Sequence, residues 1–179
     1  IIGTVARLEK AKGIKYLINA CGNLSSSKFH LLVIGSGKQK QQLLKQVKKL
    51  NLSSQVTFTG YVNNVHDYLE LIDIFVLPSS NEGIPGVVRE AMSVGIPAIA
   101  TDVGGTSEAV IQGETGYLVD PNNPEQISEK IIQLLDNKSK QNRLGKKGRR
   151  HIIENFSIES YVQNYDDFFK RITDCSDTQ

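Results

Sequence analysis

Two glutamates, Glu82 and Glu90, have the types and spacing most suggestive of chemistry in this sequence. They follow an apolar stretch, Ile74–Pro78, and the pattern predicts a strand, a loop and a helix that begins near Pro85 or Gly86. Glu82 would lie in the loop, and Glu90 about one turn into the helix. Carboxylates there accept hydrogen bonds from sugar hydroxyls, while the free N–H groups of the helix start bind phosphate. A solvated loop glutamate and a helix-face glutamate are the alternative.

Two cations, Arg7 and Lys12, follow the first apolar stretch and could clamp a diphosphate, neutralising charge on a leaving group. A plain solvated loop is the alternative. The glycines Gly35 and Gly37 follow the second apolar stretch and allow close approach of a phosphate or nucleoside, although a tight turn is equally compatible. A dinucleotide fingerprint needs a third glycine where Lys40 stands, so that site is excluded.

A third loop contains Gly104 and Gly105, which allow the backbone to lie close to a ligand. Thr106 directly after them could also cap the next helix, and we favour a mixed role for this segment.

These residues require a framework of alternating strands and helices, which predicts an α/β fold with a Rossmann-like parallel sheet of about six strands and helices on both faces. The predicted strands are Ile2–Ala6, His30–Gly35, Gln55–Gly60, Ile74–Pro78, Pro97–Thr101 and Gly116–Val119. The predicted helices are Gly13–Leu24, Lys38–Leu50, Val65–Leu71, Gly86–Val94, Thr106–Ile111, Pro124–Leu135, Ser139–Glu154 and Ser157–Ile172.

Composition narrows the class of protein. The chain has 179 residues, 39% hydrophobic and 22% charged, as in an ordinary soluble domain, and its net charge of +2 is too small to indicate nucleic acid binding. The basic runs Lys38–Lys49 and Arg143–Arg150 are typical of solvated helix faces, and a contact with an anionic membrane surface stays open.

Cysteine content and apolar runs indicate the compartment. Cys21 and Cys175 are far apart, without a metal-binding or CxxC pattern, which favours a reducing compartment. No apolar run approaches the ~20 residues of a membrane span. We therefore expect a cytoplasmic location, with peripheral contact at the inner face of the membrane left open. The strand-like start at Ile1, without Met, suggests an excised domain.

In combination, these segments resemble the C-terminal, donor-binding domain of family 4 retaining glycosyltransferases (glycosyl transferases group 1), which have the GT-B fold. The resemblance covers nearly the whole chain. It rests on Gly3–Leu8, Lys12-Gly13, Ile34–Gly37, Val56–Val62, Pro78-Ser79, Glu82–Glu90, Gly95–Pro97, Thr101–Gly105, Glu108, Gly116–Val119 and Phe156-Ser157.

The resemblance implies a division into a nucleotide-sugar-binding domain (1–156), a C-terminal crossover helix (157–173) and a tail (174–179). The acceptor domain would precede them and is absent from this chain. It further implies transfer of a sugar, with retention of configuration, from a UDP- or GDP-type donor to a glycan, lipid or polysaccharide hydroxyl, with neither a metal nor another cofactor. A different GT-B enzyme (an epimerase or phosphorylase) and a non-catalytic interaction domain are the alternatives.

Roles for individual residues follow from the same resemblance. Arg7 and Lys12 would hold the diphosphate, Glu82 would bind sugar hydroxyls and stabilise the reacting ring, and Glu90 would bind the ribose. The remaining substrate-binding residues would be Gly83, Ile84, Pro85, Gly86 and Val87 at the sugar and phosphate, Gly35, Gly37, Tyr61 and Val62 at the base, and Gly105. Ile84, Gly86 and Arg89 depart from the usual family pattern, which bears on sugar specificity.

The last predicted helix carries a broad apolar stripe. Its members are Ile158, Tyr161, Val162, Tyr165, Phe168, Phe169 and Ile172. Such a stripe needs a cover. In the family this helix crosses back toward the N-terminal domain, so we expect the isolated chain to leave the stripe partly uncovered and to self-associate or pack it on a neighbour.

Overall fold

Short apolar runs form a six-stranded parallel sheet in the computed structural model, which describes residues 1–24 and 29–176. The strands are β1 (Ile2–Val5), β2 (Leu31–Ile34), β3 (Val56–Gly60), β4 (Ile74–Leu77), β5 (Ala98–Thr101) and β6 (Gly116–Val119). Each begins and ends within one residue of its predicted bound. Most of these runs are buried on both faces and stand out from their polar flanks, whereas the edge strand β3 is only partly buried.

The strand order is β3-β2-β1-β4-β5-β6, and every neighbouring pair is parallel. The chain moves outward from β1 to β3 and then returns to pair β4 with the other side of β1. This reversal creates a crevice at the carboxyl ends of β1 and β4, which is where ligands bind in open α/β sheets.

Helices cover both faces of the sheet, as predicted. They are α1 (Ile14–Gly22), α2 (Lys40–Lys49), α3 (His66–Leu69), α4 (Gly86–Ser93), α5 (Thr106–Ala109), α6 (Pro124–Leu135), α7 (Lys138–Phe156) and α8 (Ile158–Ser176), with a 3-10 turn at Lys10–Lys12 before α1. Asn123 and Asn137 cap α6 and α7 by accepting N–H groups at 3.0 and 2.8 Å.

Two apolar clusters make up the described core, one on each face of the sheet. The first includes buried residues of α1, α2 and α6, such as Leu17, Val47 and Ile131. The second includes Val88 and Met92 of α4. The sheet is therefore held from both sides, and its carboxyl edge is left to the connecting loops.

The last helix, α8, is the least covered element of the described chain. Ser157, the first residue of the predicted helix, caps α8, since its side chain accepts the N–H of Ser160 at 3.1 Å. No side chain is buried between residues 158 and 173, and the stripe is exposed as predicted. The helix runs to Ser176, past its expected end near residue 172, and residues 177–179 lie outside the described chain.

Within the described residues, no helix combines the length and apolarity needed to cross a membrane.

Candidate functional site

The loops that follow β1 and β4 are fastened to each other at the sheet's crevice. The backbone N–H of Ser80 donates to the carbonyl of Ala11 at 2.8 Å. Gly13, which has a φ of 64°, packs its Cα against the carbonyl of Pro78, where a side chain would collide. This close approach brings Lys12 next to the loop that carries Glu82.

Lys12 and Glu82 form an ion pair across this junction. The Lys12 Nζ donates to Glu82 Oε1 at 2.6 Å. The side chains are 23% and 12% exposed, so the pair is largely shielded from water. The sequence placed both residues at one edge but gave them separate tasks, and their direct contact was not anticipated, because they lie 70 positions apart.

A cavity of about 270 Å³ opens beside this pair. Six of the predicted site residues line it, namely Arg7, Lys12, Gly35, Tyr61, Val62 and Val87. The sequence interpretation did not assign the other lining residues, which are Val5, Ala6, Ile34, Ser36, Val65 and Leu77. Most of them could have been found from their place in the sequence, since they lie at the carboxyl ends of strands, next to residues that the sequence analysis had assigned to the site.

The cavity combines an apolar wall with cations at one side. Val5, Leu77 and Val87 supply apolar wall surface, and Lys12 stands at the edge nearest Glu82. The Arg7 side chain is 75% exposed and lies 3.3 Å from Glu9. A weak exposed pair of this kind leaves the Arg7 guanidinium free to move toward an anion.

The loop that carries Glu82 packs against the loop after β5, which holds it in place. Gly105 donates its N–H to the carbonyl of Gly83 at 3.0 Å, and Gly104, with a φ of 53°, packs against the carbonyl of Glu82. A side chain at Gly105 would meet Ile84 at 2.8 Å. The structure therefore gives Gly105 a supporting position and does not place it in the cavity wall.

Helix α4 begins at Gly86, as predicted, directly after Pro85, which is buried. Glu90 is exposed, does not line the cavity, and places Oε1 3.9 Å from the point where a Gly86 side chain would begin. Glu90 therefore lies over the first turn of α4.

Arg89, which departs from the usual family pattern, stacks its guanidinium over the ring of Phe156 at 5.5 Å. This contact accommodates the charge of Arg89 beside an apolar cluster.

The two glycines after β2 have different positions. Gly35 lines the cavity, and its φ of 131° lets it pack against the carbonyl of Ala6. Gly37 does not line it, and a side chain there would meet the backbone of Leu8 at 2.5 Å. Gly37 therefore lets the loops after β1 and β2 pack together, and Ser36 accepts the Leu8 N–H at 2.8 Å.

With this geometry in place, comparison with known proteins defines the class. Residues 1–151 match the sequence profile of the glycosyl transferases group 1 family, so the chain belongs to that family. It is 30% identical over 166 residues to the N-acetyl-alpha-D-glucosaminyl L-malate synthase of Bacillus anthracis, covering 92% of this chain and 44% of that protein.

Solved structures agree with the fold. The C-terminal domain of a glycosyl transferase group 1 protein, LpcC of Francisella tularensis, is 28% identical, covers 88% of this chain and 86% of its own, and gives a TM-score of 0.82. A variant of Staphylococcus aureus TarM, in complex with fondaparinux, alpha-GlcNAc-glycerol and UDP, is 27% identical and gives a TM-score of 0.85. The match covers 94% of this chain and 35% of the TarM chain. The sheet is thus that of a GT-B C-terminal domain.

The chain spans about half the length of the curated relatives it matches, with shares of 44%, 48% and 46% for three of them.

Proposed function

We propose that this chain is the donor-binding half of a retaining glycosyltransferase, which moves a sugar from a nucleotide-diphosphate sugar to an acceptor hydroxyl. The observation that carries the proposal is the Lys12–Glu82 ion pair at the edge of an apolar cavity, placed at the reversal point of the strand order. A cation, a carboxylate and an apolar wall at that edge suit a phosphate, a sugar and a base in one ligand.

The cations are assigned to the diphosphate. Lys12 lines the cavity, and Arg7 lies on the same loop with little to restrain it. Arginine suits a phosphate because its planar group donates two parallel hydrogen bonds. The free N–H groups at the start of α4, near Gly86 and Val87, add a partial positive charge on the same side.

The carboxylates are assigned to hydroxyl groups. Glu82, which does not line the cavity but pairs with Lys12 at its edge, would accept hydrogen bonds from the donor sugar. Glu90, over the first turn of α4, would accept them from the ribose. The base would enter the apolar part of the cavity between Gly35, Tyr61 and Val62. A UDP-type donor is favoured by the solved TarM variant, which contains UDP, and a GDP-type donor is the alternative.

In the transfer, the bond between the anomeric carbon and the diphosphate oxygen breaks, and its electron pair stays on the diphosphate. The acceptor hydroxyl oxygen forms a new bond to the anomeric carbon on the face that the diphosphate leaves, and the hydroxyl proton passes to the departing diphosphate oxygen. Lys12 and Arg7 stabilise the charge that grows there. Donor binding draws Lys12 toward phosphate and releases Glu82 toward the sugar ring, whose positive character it stabilises. The acceptor, a glycan or lipid hydroxyl, would be supplied through a domain outside this chain, while residues 1–156 bind the donor and 157–173 form the crossover helix.

Calorimetric titration of the chain with UDP, GDP and ADP tests the donor assignment. We expect one nucleotide to bind saturably, and Lys12→Ala, Arg7→Ala and Glu90→Ala to weaken binding by about tenfold each. Lys10→Ala is the matched control, because Lys10 lies on the same turn, is exposed and does not line the cavity. Equal weakening in Lys10→Ala would show general charge attraction in place of a site.

The catalytic role of Glu82 is tested in the enzyme that contains both halves. We expect Glu82→Ala to lower turnover by two orders of magnitude or more, since it removes charge stabilisation at the reacting ring. Near wild-type turnover with a folded variant would contradict the assignment.

A further inference from the structure

The charges of this chain are segregated along the sequence. Residues 10–66 contain nine lysines and no Asp, Glu or Arg, although the whole chain has a net charge of only +2. This segment includes α1, α2 and the β2–β3 end of the sheet. This local excess of lysine over acidic residues produces a positively charged surface, although the net charge of the whole chain is small.

The outer face of α2 concentrates that charge. Leu43 and Val47 are buried and fix the inner side of the helix. The opposite side presents Lys45, Lys48 and Lys49, all exposed. Leu44, on the flank of this face, is 38% exposed. The resulting surface is strongly cationic and carries one apolar side chain within it.

A groove of about 430 Å³ between α1 and α2 extends the surface. Lys15, Lys45 and Lys49 line it together with several amides, and none of its lining residues is a carboxylate. The amide of Gln46 holds the two helices together by donating to the carbonyl of Lys15 at 2.8 Å and to Asn19 at 2.6 Å. The lysines therefore stand on a fixed framework.

These lysines lack acidic partners, whereas the other basic helix, α7, has acidic side chains among its cations. In the described part of the chain, no ion pair includes Lys15, Lys45, Lys48 or Lys49. On α7, three cations are paired, as shown by Lys138–Asp73 at 2.9 Å, Lys147–Glu114 at 3.4 Å and Arg150–Glu154 at 2.7 Å. Within the described residues, Arg143, Lys146 and Arg149 of α7 are in no ion pair, but the carboxylates of Glu114 and Glu154 lie on the same helix surface and reduce its positive charge.

We propose that the outer face of α2, with Lys15 at its groove, docks on a membrane surface that carries anionic phospholipid headgroups. Lysine is a flexible, hydrated point charge that follows mobile headgroups, whereas fixed phosphates favour the planar fork of arginine. Helix α2 has no Arg and no aromatic residue, so it offers nothing on which nucleic-acid bases would stack. Leu44 supplies an apolar contact among the lysines.

The strength of this contact follows from the number of lysines. Each lysine close to an anionic leaflet multiplies the binding constant by about fivefold, and the effect falls off within one Debye length. The docking is therefore reversible and sensitive to salt. It does not depend on the proposed sugar transfer, since the lysine face lies outside the cavity.

Co-sedimentation with lipid vesicles tests the proposal. We expect the chain to bind phosphatidylcholine vesicles that contain phosphatidylglycerol, to ignore vesicles of phosphatidylcholine alone, and to be released by high salt. The triple variant Lys45→Gln, Lys48→Gln, Lys49→Gln should lose about a hundredfold in binding constant, since it removes three lysines worth about fivefold each. The triple variant Arg143→Gln, Lys146→Gln, Arg149→Gln removes the same charge from α7 and should bind as the unchanged chain does. Equal losses in both variants, or no binding to anionic vesicles, would overturn the proposal.

A second variant separates a membrane from a soluble polyanion. Leu44→Ser should weaken vesicle binding and leave binding to inorganic polyphosphate unchanged, because only the lipid surface offers an apolar contact. Vesicle binding that Leu44→Ser leaves intact, together with tight polyphosphate binding, would overturn the proposal in favour of a soluble polyanion. Thermal unfolding of each variant confirms that the fold is retained.

Discussion

At the scale of single residues, the Lys12–Glu82 pair is the feature that links fold to function. Its hydrogen bond of 2.6 Å joins the loops after β1 and β4, and its partial burial makes the contact stronger than an exposed pair. In the absence of a donor, each residue satisfies the other's charge. The pair therefore both stabilises the crevice and holds ready the cation and the carboxylate that the proposed reaction needs.

A double-mutant cycle tests the structural role of this pair. Lys12→Met should lower the free energy of unfolding by about 1–3 kcal/mol, because it leaves the Glu82 carboxylate partly buried without a partner. Lys12→Met combined with Glu82→Gln should cost less than the sum of the two single changes. Urea unfolding measures these values. Lys147→Met, which breaks an exposed pair with Glu114, should cost only about 0–1 kcal/mol, and a similar cost for Lys12→Met would contradict the interpretation.

Cys21 gives a second prediction at this scale. Burial raises the pKa of its thiol to about 12, so almost no thiolate is present at neutral pH. In a Cys175→Ser background, alkylation of the folded chain at pH 8 should be slower by about a thousandfold or more than alkylation of the urea-unfolded chain, whose thiol has an ordinary pKa of ~8.5. The folded rate should keep rising beyond pH 10, where the unfolded rate levels off. Equal rates at pH 8 would show that Cys21 is accessible.

At the scale of elements, the site depends on close backbone packing between loops. Gly13, Gly35, Gly37 and Gly104 each lie against the backbone of a neighbouring loop, at Pro78, Ala6, Leu8 and Glu82 respectively. The six strands determine where the loops begin. The glycine contacts between loops then determine where the side chains of those loops are placed. Loss of one contact should therefore disturb the site more than its distance from the cavity suggests.

Gly13→Ala tests this dependence. The left-handed conformation alone costs a non-glycine residue roughly 1–2 kcal/mol, and the collision with the Pro78 carbonyl adds to it, so we expect roughly 3 kcal/mol or more. Gly113→Ala is the matched control, because Gly113 has a similar φ of 73° with open space around it, and should cost only about 1–2 kcal/mol. Equal costs in chemical denaturation would show that the Pro78 contact carries no strain.

The elements also show why sequence analysis succeeded in part. The strand bounds were predicted to within one residue and most helix bounds to within two, because each element depends on local patterns of apolar residues. The end of α8 was predicted four residues too early. The cavity was half predicted, since positions at strand ends follow from the topology. The Lys12–Glu82 bond and the supporting roles of Gly37 and Gly105 were missed, because they depend on contacts between loops that are distant in sequence. A glycine in a loop gives no sign of whether a ligand or another backbone approaches it.

At the scale of the whole molecule, three separate surfaces with different chemical character surround the same sheet. The cavity lies at the carboxyl edge, the lysine face of α2 lies over the β2–β3 end, and the stripe of α8 lies beyond α7. Only the first was tied to chemistry by the sequence motifs. The apolar stripe of α8 favours contact with a partner, because the side chains of Tyr165, Phe168 and Phe169 are 60%, 56% and 59% exposed to solvent.

Self-association through α8 stays a prediction, and it can be tested on this chain. Sedimentation equilibrium should show a mass that rises with concentration, because pairing two stripes removes large aromatic surfaces from water at about 25 cal/mol per Å². Tyr165→Ser with Phe169→Ser should shift the chain toward monomer, since both lie on the stripe one turn apart. Gln163→Ser with Lys170→Ser alters the opposite, exposed side of α8 and should leave association unchanged. A chain that stays monomeric at every concentration while α8 remains helical by circular dichroism would contradict the prediction and show that the exposed stripe does not drive self-association.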